Sequence, residues 1–147
     1  MDMSGEYKIP APREKVWAAL NDKDVLQACI PGCEELEKIS DTEFKARVTS
    51  KIGPVKAKFK GAVTLKDINA PESYRIEGQG EGGIAGFAKG GADVKLAEDG
   101  AGTVLTYAAN AQVGGKIAQL GSRLINSSAK KTADQFFKAF VKIVGES

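Results

Sequence analysis

The sequence predicts an α+β domain in which a curved, seven-stranded antiparallel sheet surrounds a long C-terminal helix. Between residues 34 and 113, polar and apolar side chains alternate as in strands, and short turns rich in Gly, Pro and Asp interrupt them. After Gly114 the apolar residues recur every three or four positions, which is typical of an amphipathic helix. A chain of 147 residues can bury one sizeable core, so we assign residues 1–147 to a single domain.

The predicted elements follow the chain in order. A first strand covers Met3–Ile9, and Pro12 is suited to open a short helix over 13–20. Asp22 or Asp24 can cap a second short helix around 25–28. Six further strands are predicted at 34–39, 43–52, 55–69, 73–82, 87–97 and 102–113. One amphipathic helix then covers 116–144, with Gly145 as its end signal.

Glycine occupies one face of a predicted strand. Glycine in a strand interior weakens the strand, so several glycines on one face need a structural or functional reason. In the strand at 73–82, polar residues alternate outwards, whereas the inward positions include Tyr74, Gly78, Gly80 and Gly82. The next two strands add further small inward residues: Ala88, Gly90 and Ala109. This half of the core is nearly devoid of side chains, which predicts a hollow for a ligand.

The remaining wall of the predicted hollow is apolar. It comprises Phe59, Tyr74, Tyr107, Leu120 and Leu124. Such sites combine an apolar lining with a few polar anchors. The alternatives for these anchors are Tyr107, Tyr74, Ser50 and Arg123.

Successive antiparallel strands alternate their ends, so the loops at 30–33, 53–54, 82–86 and 113–115 share one end of the sheet. These loops are rich in glycine and carry few charges, and the glycine-lined half of the sheet adjoins them. We interpret this end as the mouth of the hollow, formed by Ile30, Pro31, Gly53, Pro54, Ile84, Phe87 and Gly114. The alternative is an irregular sheet edge whose glycines provide curvature.

The hairpin of the strands at 43–52 and 55–69 carries a basic outer face. Its cations include Lys45, Arg47, Lys56, Lys58 and Lys60. One interpretation is a solvated surface that nearby glutamates partly neutralise. The other is a docking patch for an acidic protein or an anionic lipid.

Composition excludes several classes of function. A net charge of +2 argues against a dedicated nucleic-acid binder, and the absence of histidine removes the commonest general base and metal ligand. Cys29 and Cys33 fit buried thiols better than a redox pair or a metal site, so we predict no metal and no covalent cofactor. No apolar run is long enough to span a membrane, and we expect a soluble, cytoplasmic protein.

Several sequence blocks resemble those of one family. They are Ala-Cys-Ile-Pro-Gly-Cys-Glu at 28–34, Gly-Pro-Val-Lys-Ala-Lys-Phe-Lys-Gly at 53–61, the glycine-rich stretch at 78–90, Leu-Gly-Ser-Arg-Leu-Ile at 120–125, and Phe136-Phe137. Together they resemble the CoxG family, which takes its name from the CoxG subunit of carbon monoxide dehydrogenase, over essentially the whole chain.

The resemblance implies the helix-grip fold of the START/Bet v 1-like (SRPBCC) superfamily, with an apolar cavity. It also implies a partner, a molybdenum-containing hydroxylase of the carbon monoxide dehydrogenase type. Family members are implicated in recruiting that enzyme to the membrane and in handling a lipophilic quinone. A bound quinone or other lipid and peripheral contact with the inner face of the membrane are therefore expected. The family has no established catalytic motif, so no catalytic residue is assigned.

The favoured hypothesis is a binding module for a lipophilic small molecule. A pure protein adaptor with an incidental cavity is the first alternative. A cyclase-like or hydrolase-like enzyme is the second, but its candidate carboxylates, Glu77, Glu81 and Asp93, are predicted to point outwards.

Overall fold

The computed structural model describes residues 1–146, and these contain seven strands in the predicted order. The strands are β1 (Asp2–Ile9), β2 (Cys33–Ser40), β3 (Glu43–Ile52), β4 (Val55–Asn69), β5 (Ser73–Glu81), β6 (Phe87–Asp99) and β7 (Gly102–Gly114). The α-helices are α1 (Arg13–Leu20), α2 (Lys23–Cys29) and α3 (Ser122–Glu146). Two 3₁₀ turns cover Gly83–Ala85 and Gly115–Leu120. The predicted α+β class is confirmed.

The strands form one antiparallel sheet in the order β1-β7-β6-β5-β4-β3-β2. The first strand pairs with the last, so β1 and β2 lie at opposite edges, and α1 and α2 connect these edges. The Asp22 carboxylate caps α2 as predicted, because it accepts hydrogen bonds from the backbone amides of Asp24 (2.9 Å) and Val25 (3.3 Å). The helix begins at Lys23, slightly earlier than expected.

A main cluster of apolar side chains fills the end of the sheet opposite the predicted mouth and extends along α2 to Cys29, which precedes the loop at 30–33. Val16 of α1 and Phe140 of α3 are fully buried in it, and Ile9 of β1 is 1% exposed. The α3 helix packs against α2, β1 and β3. Near its C-terminus, Gly145 lies against Pro10, where an added Cβ would be 3.0 Å from the Pro10 Cγ. The C-terminal half of α3 is thus held firmly against the rest of the fold.

A second, smaller apolar cluster, the mouth cluster, lies at the other end of the sheet. Its buried members are Ala57, Ala85 and Ile117, and Ile52, Val55, Phe59 and Leu120 pack around them. The main cluster and the mouth cluster are separate. The inner positions of β5, β6 and β7 between the two clusters carry the small residues Gly78, Gly80, Ala88 and Ala109.

The prediction of one helix over 116–144 is wrong at both ends. Residues Gly115–Leu120 form a 3₁₀ turn, and Gly121 breaks the helical path with a φ of 89° before α3 begins. The apolar spacing of Ile117 and Leu120 suits a 3₁₀ turn as well as an α-helix, so periodicity could not separate the two. Gly145 does not end the helix, which extends to Glu146. No helix within residues 1–146 has both the length and the apolar character of a membrane span.

Candidate ligand-binding site

Three inward glycines have no backbone reason to be glycine. An added Cβ would lie 3.8 Å from the nearest atom at Gly80, 3.6 Å at Gly61 and 3.4 Å at Gly78. These are ordinary contact distances, and none of the three residues has a positive φ. Alanine or a larger residue would fit the backbone here. Glycine at these positions is therefore not a backbone requirement, and it leaves the inner face without side chains there.

Gly82 and Gly90, which are predicted to line the same hollow, serve a different purpose. A Cβ at Gly82 would lie 2.6 Å from the Phe59 ring, so that ring already occupies the space. A Cβ at Gly90 would lie 2.8 Å from the backbone Cα of Ala111 in β7. These two glycines permit close packing, and the assignment of their missing side chains to the hollow is corrected.

The hollow itself is the space under the inner face between the main cluster and the mouth cluster. Ala88, Ala109 and Tyr107 face it and are half-buried, as are Gly78 and Gly80. Residues that face a covering helix would be fully buried if side chains filled the space between them. The partial exposure of Ala88 and Tyr107 accords with incomplete filling of this space, whereas Gly78 also lines a concavity on the outer face of the sheet.

The predicted aromatic and aliphatic wall divides between the two clusters. Phe59 and Leu120 pack in the mouth cluster, and the Leu124 side chain lies where a Cβ on Gly53 would be 2.7 Å away. Tyr74 is instead part of the main cluster, with 5% exposure and its ring edge-on to Trp17 at 5.1 Å. Burial raises the pKa of the Tyr74 hydroxyl. Tyr74 is thus a core residue, which corrects its assignment to the cavity wall.

Two of the four predicted mouth loops, 82–86 and 113–115, touch each other. The Gly82 amide donates to the Gly86 carbonyl at 2.8 Å, and the Thr49 amide donates to the Gly32 carbonyl at 2.9 Å. An added Cβ at Gly115 would be 2.6 Å from the Gly86 Cα, so these two loops touch. Ile30, Pro31 and Gly114 are half-buried, whereas Gly53 and Pro54 are exposed. Two large apolar side chains point to solvent here, since Ile84 is 92% exposed and Phe87 is 47% exposed.

An opening of about 520 Å³ lies between the mouth end of β7 and the start of α3. Its apolar lining includes Phe87, Val113, Ala118 and Ile125. This volume is within the range of about 300–1,000 Å³ that is typical of small-molecule sites. A larger concavity of about 760 Å³ lies on the outer face of the sheet, but Arg75, Glu77, Gln79 and Lys89 line it. That lining suits a lipophilic ligand poorly.

A polar pair that was not predicted from the sequence joins β1 to α3. The Tyr7 hydroxyl of β1 donates a 2.7 Å hydrogen bond to the Asp134 carboxylate of α3. Burial raises the Tyr7 pKa most, and the bond to Asp134 raises it further. Tyr7 alternates inward with Gly5 and Ile9, so the strand pattern could have placed it on the inner face. Of the predicted anchors, Ser50 and Tyr107 are half-buried, and Arg123 is exposed.

The outer face of the sheet has two electrostatically different halves. In one half, Glu77 pairs with Lys66 at 2.6 Å and with Arg75 at 3.3 Å, and Arg75 also pairs with Asp93 at 3.1 Å. Lys66 and then Arg75 lower the pKa of Glu77. The candidate catalytic carboxylates Glu77, Asp93 and Glu81 thus lie on the outer face, away from the hollow.

The other half is the basic patch, which we define as Lys45, Arg47, Lys56, Lys58 and Lys60. All five side chains are exposed. Arg47 pairs with Glu35 of β2, and it also lies directly opposite Lys60 of β4. Within residues 1–146, the four lysines of the patch form no ion pair.

The two cysteines are free thiols on either side of the turn after α2. Cys29 is buried and Cys33 is half-buried. Burial raises the pKa of both thiols, which disfavours the reactive thiolate. Within the described part of the chain, no group of three or more Cys, Asp or Glu side chains is arranged to hold a metal ion.

Comparison with known proteins places this chain in a family. The family described as the CoxG subunit of carbon monoxide dehydrogenase matches residues 5–145. The chain belongs to the CoxG family. The family's description names a subunit of an enzyme. No functionally curated protein matches the sequence.

Solved structures support the family's fold. A conserved protein from Geobacillus kaustophilus is 34% identical, with a TM-score of 0.94 over 100% of this chain and 97% of that one. A START superfamily protein from Mycobacterium smegmatis is 13% identical, with a TM-score of 0.76 over 99% and 97% of the two chains. Ara h 8.0201 is 14% identical, with a TM-score of 0.68 over 100% and 99%. The fold of this CoxG-family chain is START/Bet v 1-like, as the resemblance implied.

The different roles of the glycines lead to a stability prediction. Gly80→Ala should leave the free energy of unfolding within about 1 kcal/mol of wild type, on the stabilising side, because the Cβ has room and the unfolded chain loses freedom. Gly90→Ala should lower it by about 1–3 kcal/mol, because the Cβ meets the β7 backbone. Urea unfolding followed by circular dichroism measures both values. A strong loss in Gly80→Ala would show that this position is already filled.

Proposed function

We propose that this protein binds a lipophilic small molecule, a respiratory quinone, in the hollow between α3 and the inner face of the sheet. In this role it assists a carbon monoxide dehydrogenase-type molybdenum hydroxylase at the membrane. The observation that carries the proposal is that Gly61, Gly78 and Gly80 each have room for a Cβ, so the backbone does not require glycine there. Membership of the CoxG family and the START/Bet v 1-like fold support the same conclusion.

The opening at the mouth supports entry from a lipid phase. Phe87 lines the opening and is also exposed, so one apolar side chain belongs to both the passage and the outer surface. Ile84 projects from the adjacent 3₁₀ turn. Exposed apolar side chains of this kind gain free energy when they enter the acyl boundary of a bilayer. The mouth would then open directly into the phase that holds the ligand.

A second role, as an adaptor, rests on the register of the basic patch. Lys60 faces Arg47 across the β3–β4 pair, and Lys56 faces Lys51 in the same way. Like charges directly opposite one another destabilise a sheet. An acidic partner surface would relieve this repulsion, and the patch lies on the β3–β4 hairpin, whose turn at Gly53 and Pro54 belongs to the predicted mouth. Ligand carriage and docking of the hydroxylase are therefore compatible roles.

Filling the hollow should abolish ligand binding without unfolding the protein. In Gly80→Leu the new side chain occupies the space beside β5, so we expect a large fall in retained lipid. Wild-type protein and variant are incubated with membrane lipids and repurified, and the extracted lipid is quantified by mass spectrometry. Ala97→Leu is the matched control, because it adds a larger apolar residue at an exposed position of β6. Equal lipid retention by folded Gly80→Leu would reject this site.

Charge at the mouth should weaken contact with a bilayer. The double variant Ile84→Asp, Phe87→Asp should reduce co-sedimentation with phosphatidylcholine–phosphatidylglycerol vesicles by about ten-fold, because two apolar side chains no longer enter the lipid. Ile68→Asp serves as the control, since Ile68 is 46% exposed near the opposite end of the sheet. If both proteins sediment equally with vesicles, the mouth is not the membrane-facing end.

Reversal of the basic patch should slow association with the hydroxylase. The triple variant Lys56→Glu, Lys58→Glu, Lys60→Glu is expected to lower the association rate about ten-fold at low salt, because steering by opposite charges is lost. Biolayer interferometry with the purified hydroxylase of the same organism measures this rate. Reversal of Lys130, Lys131 and Lys138, exposed on α3, is the charge-matched control. Equal rates for the two triple variants would reject the patch as a docking surface.

A further inference from the structure

Two tyrosines, Tyr7 and Tyr107, lie at the boundary between the hollow and the main cluster. Tyr7 of β1 and Tyr107 of β7 are both half-buried on the inner face and pack against the main cluster. Tyr107 lies over Gly5 of the neighbouring strand, where an added Cβ would be 2.6 Å from its ring. Gly5 therefore makes room for the Tyr107 ring. Tyr107 precedes the mouth end of β7 by seven residues, which is about 23 Å along a strand.

The rings near this position are nearly parallel. The ring centroids of Tyr7 and Tyr107 are 6.2 Å apart, with 7° between their planes. Phe137 of α3 stacks on Tyr7 at 4.1 Å but is 6.1 Å from Tyr107. The Tyr107 ring is thus the less covered of the two, and its orientation suits contact with another planar ring.

The two hydroxyl groups differ in the hydrogen bonds that they can still form. The Tyr7 hydroxyl gives its proton to Asp134, so this oxygen can serve other groups only as an acceptor. In the part of the chain that the structure describes, the Tyr107 hydroxyl donates to no carboxylate. The Tyr107 hydroxyl also lies within hydrogen-bonding reach of the Tyr7 hydroxyl, so it can donate either to the Tyr7 oxygen or to an acceptor on a ligand. The Tyr7–Asp134 bond joins β1 to α3 and fixes the ring beside it.

We propose that Tyr107, positioned by the Tyr7–Asp134 pair, recognises a carbonyl oxygen on a planar ring, so the ligand enters the hollow ring first. This inference rests on the proposed function and adds the ligand's orientation and the residue that recognises its ring. The hydroxyl of Tyr107 donates to the carbonyl, and the ring lies against the less covered aromatic face. The apolar tail extends past Ala109 and Ala111 towards Val113 and Phe87 at the mouth. The site therefore selects amphiphiles with a carbonyl-bearing ring over plain isoprenoid chains.

Two matched probes test this selection. The first is a farnesyl-naphthoquinone, and the second is a farnesyl-naphthalene that has the same ring and tail but no carbonyl. Affinities for the full chain are measured by isothermal titration calorimetry. Tyr107→Phe should weaken binding of the quinone about three- to ten-fold, as expected for one lost hydrogen bond, and leave binding of the naphthalene unchanged. The carbonyl stretch of the bound quinone should shift to higher frequency in the same variant.

Three further variants separate recognition from a structural effect. Tyr7→Phe and Asp134→Asn should weaken quinone binding alone, and by less than Tyr107→Phe. Tyr74→Phe removes a hydroxyl from the closed main cluster and should change neither affinity. Equal losses for the two probes, or no loss for either in Tyr107→Phe, would overturn this inference and leave the proposed function standing. If neither probe binds the wild-type protein, the proposed function fails as well.

Discussion

The division of the apolar core into two separate clusters is the constraint on which the rest of this structure depends. The main cluster holds the C-terminal half of α3 through Phe140 and Val144, both essentially removed from solvent. The mouth cluster is held by Ile117 of the 3₁₀ turn, which lies outside the helix. The chain is therefore fixed against the sheet at both ends. The space between the clusters can stay open because stability does not depend on filling it.

Glycine serves three distinct physical needs in this chain. Gly121 and Gly115 adopt positive φ values that other residues rarely tolerate, and they shape the approach to α3. Gly90 and Gly5 allow close contact with a backbone or a ring. Gly80 does neither, and its contribution is the absence of a side chain. Only this last kind of glycine carries information about a ligand.

Electrostatics distinguishes the surfaces that flank the hollow. The outer half around Arg75 is internally neutralised by Glu77 and Asp93, and such exposed pairs contribute little to stability. The basic patch around Lys58 and Lys60 has no comparable pairing, and its strand register places like charges opposite one another. On a chain with a net charge of only +2, this separation of charge is a local property of the β3–β4 hairpin. It affects which partner binds, whereas the apolar mouth and Tyr107 affect which ligand binds.

The sequence by itself determined the class, the order of elements and the inner face of each strand. Period-two alternation in β4 and the turn signals around Gly53-Pro54 are local properties, so they can be read without a structure.

Only the tertiary structure decided which inward residues border open space. Tyr74 and Tyr107 have the same inward parity, yet Trp17 covers the first, whereas the second borders the hollow. The pairing of Tyr7 with Asp134 joins residues 127 positions apart, and no local pattern records such a contact. The helix boundary at Gly121 likewise depends on the burial of Ile117 in the mouth cluster, because apolar spacing alone fits both helical forms.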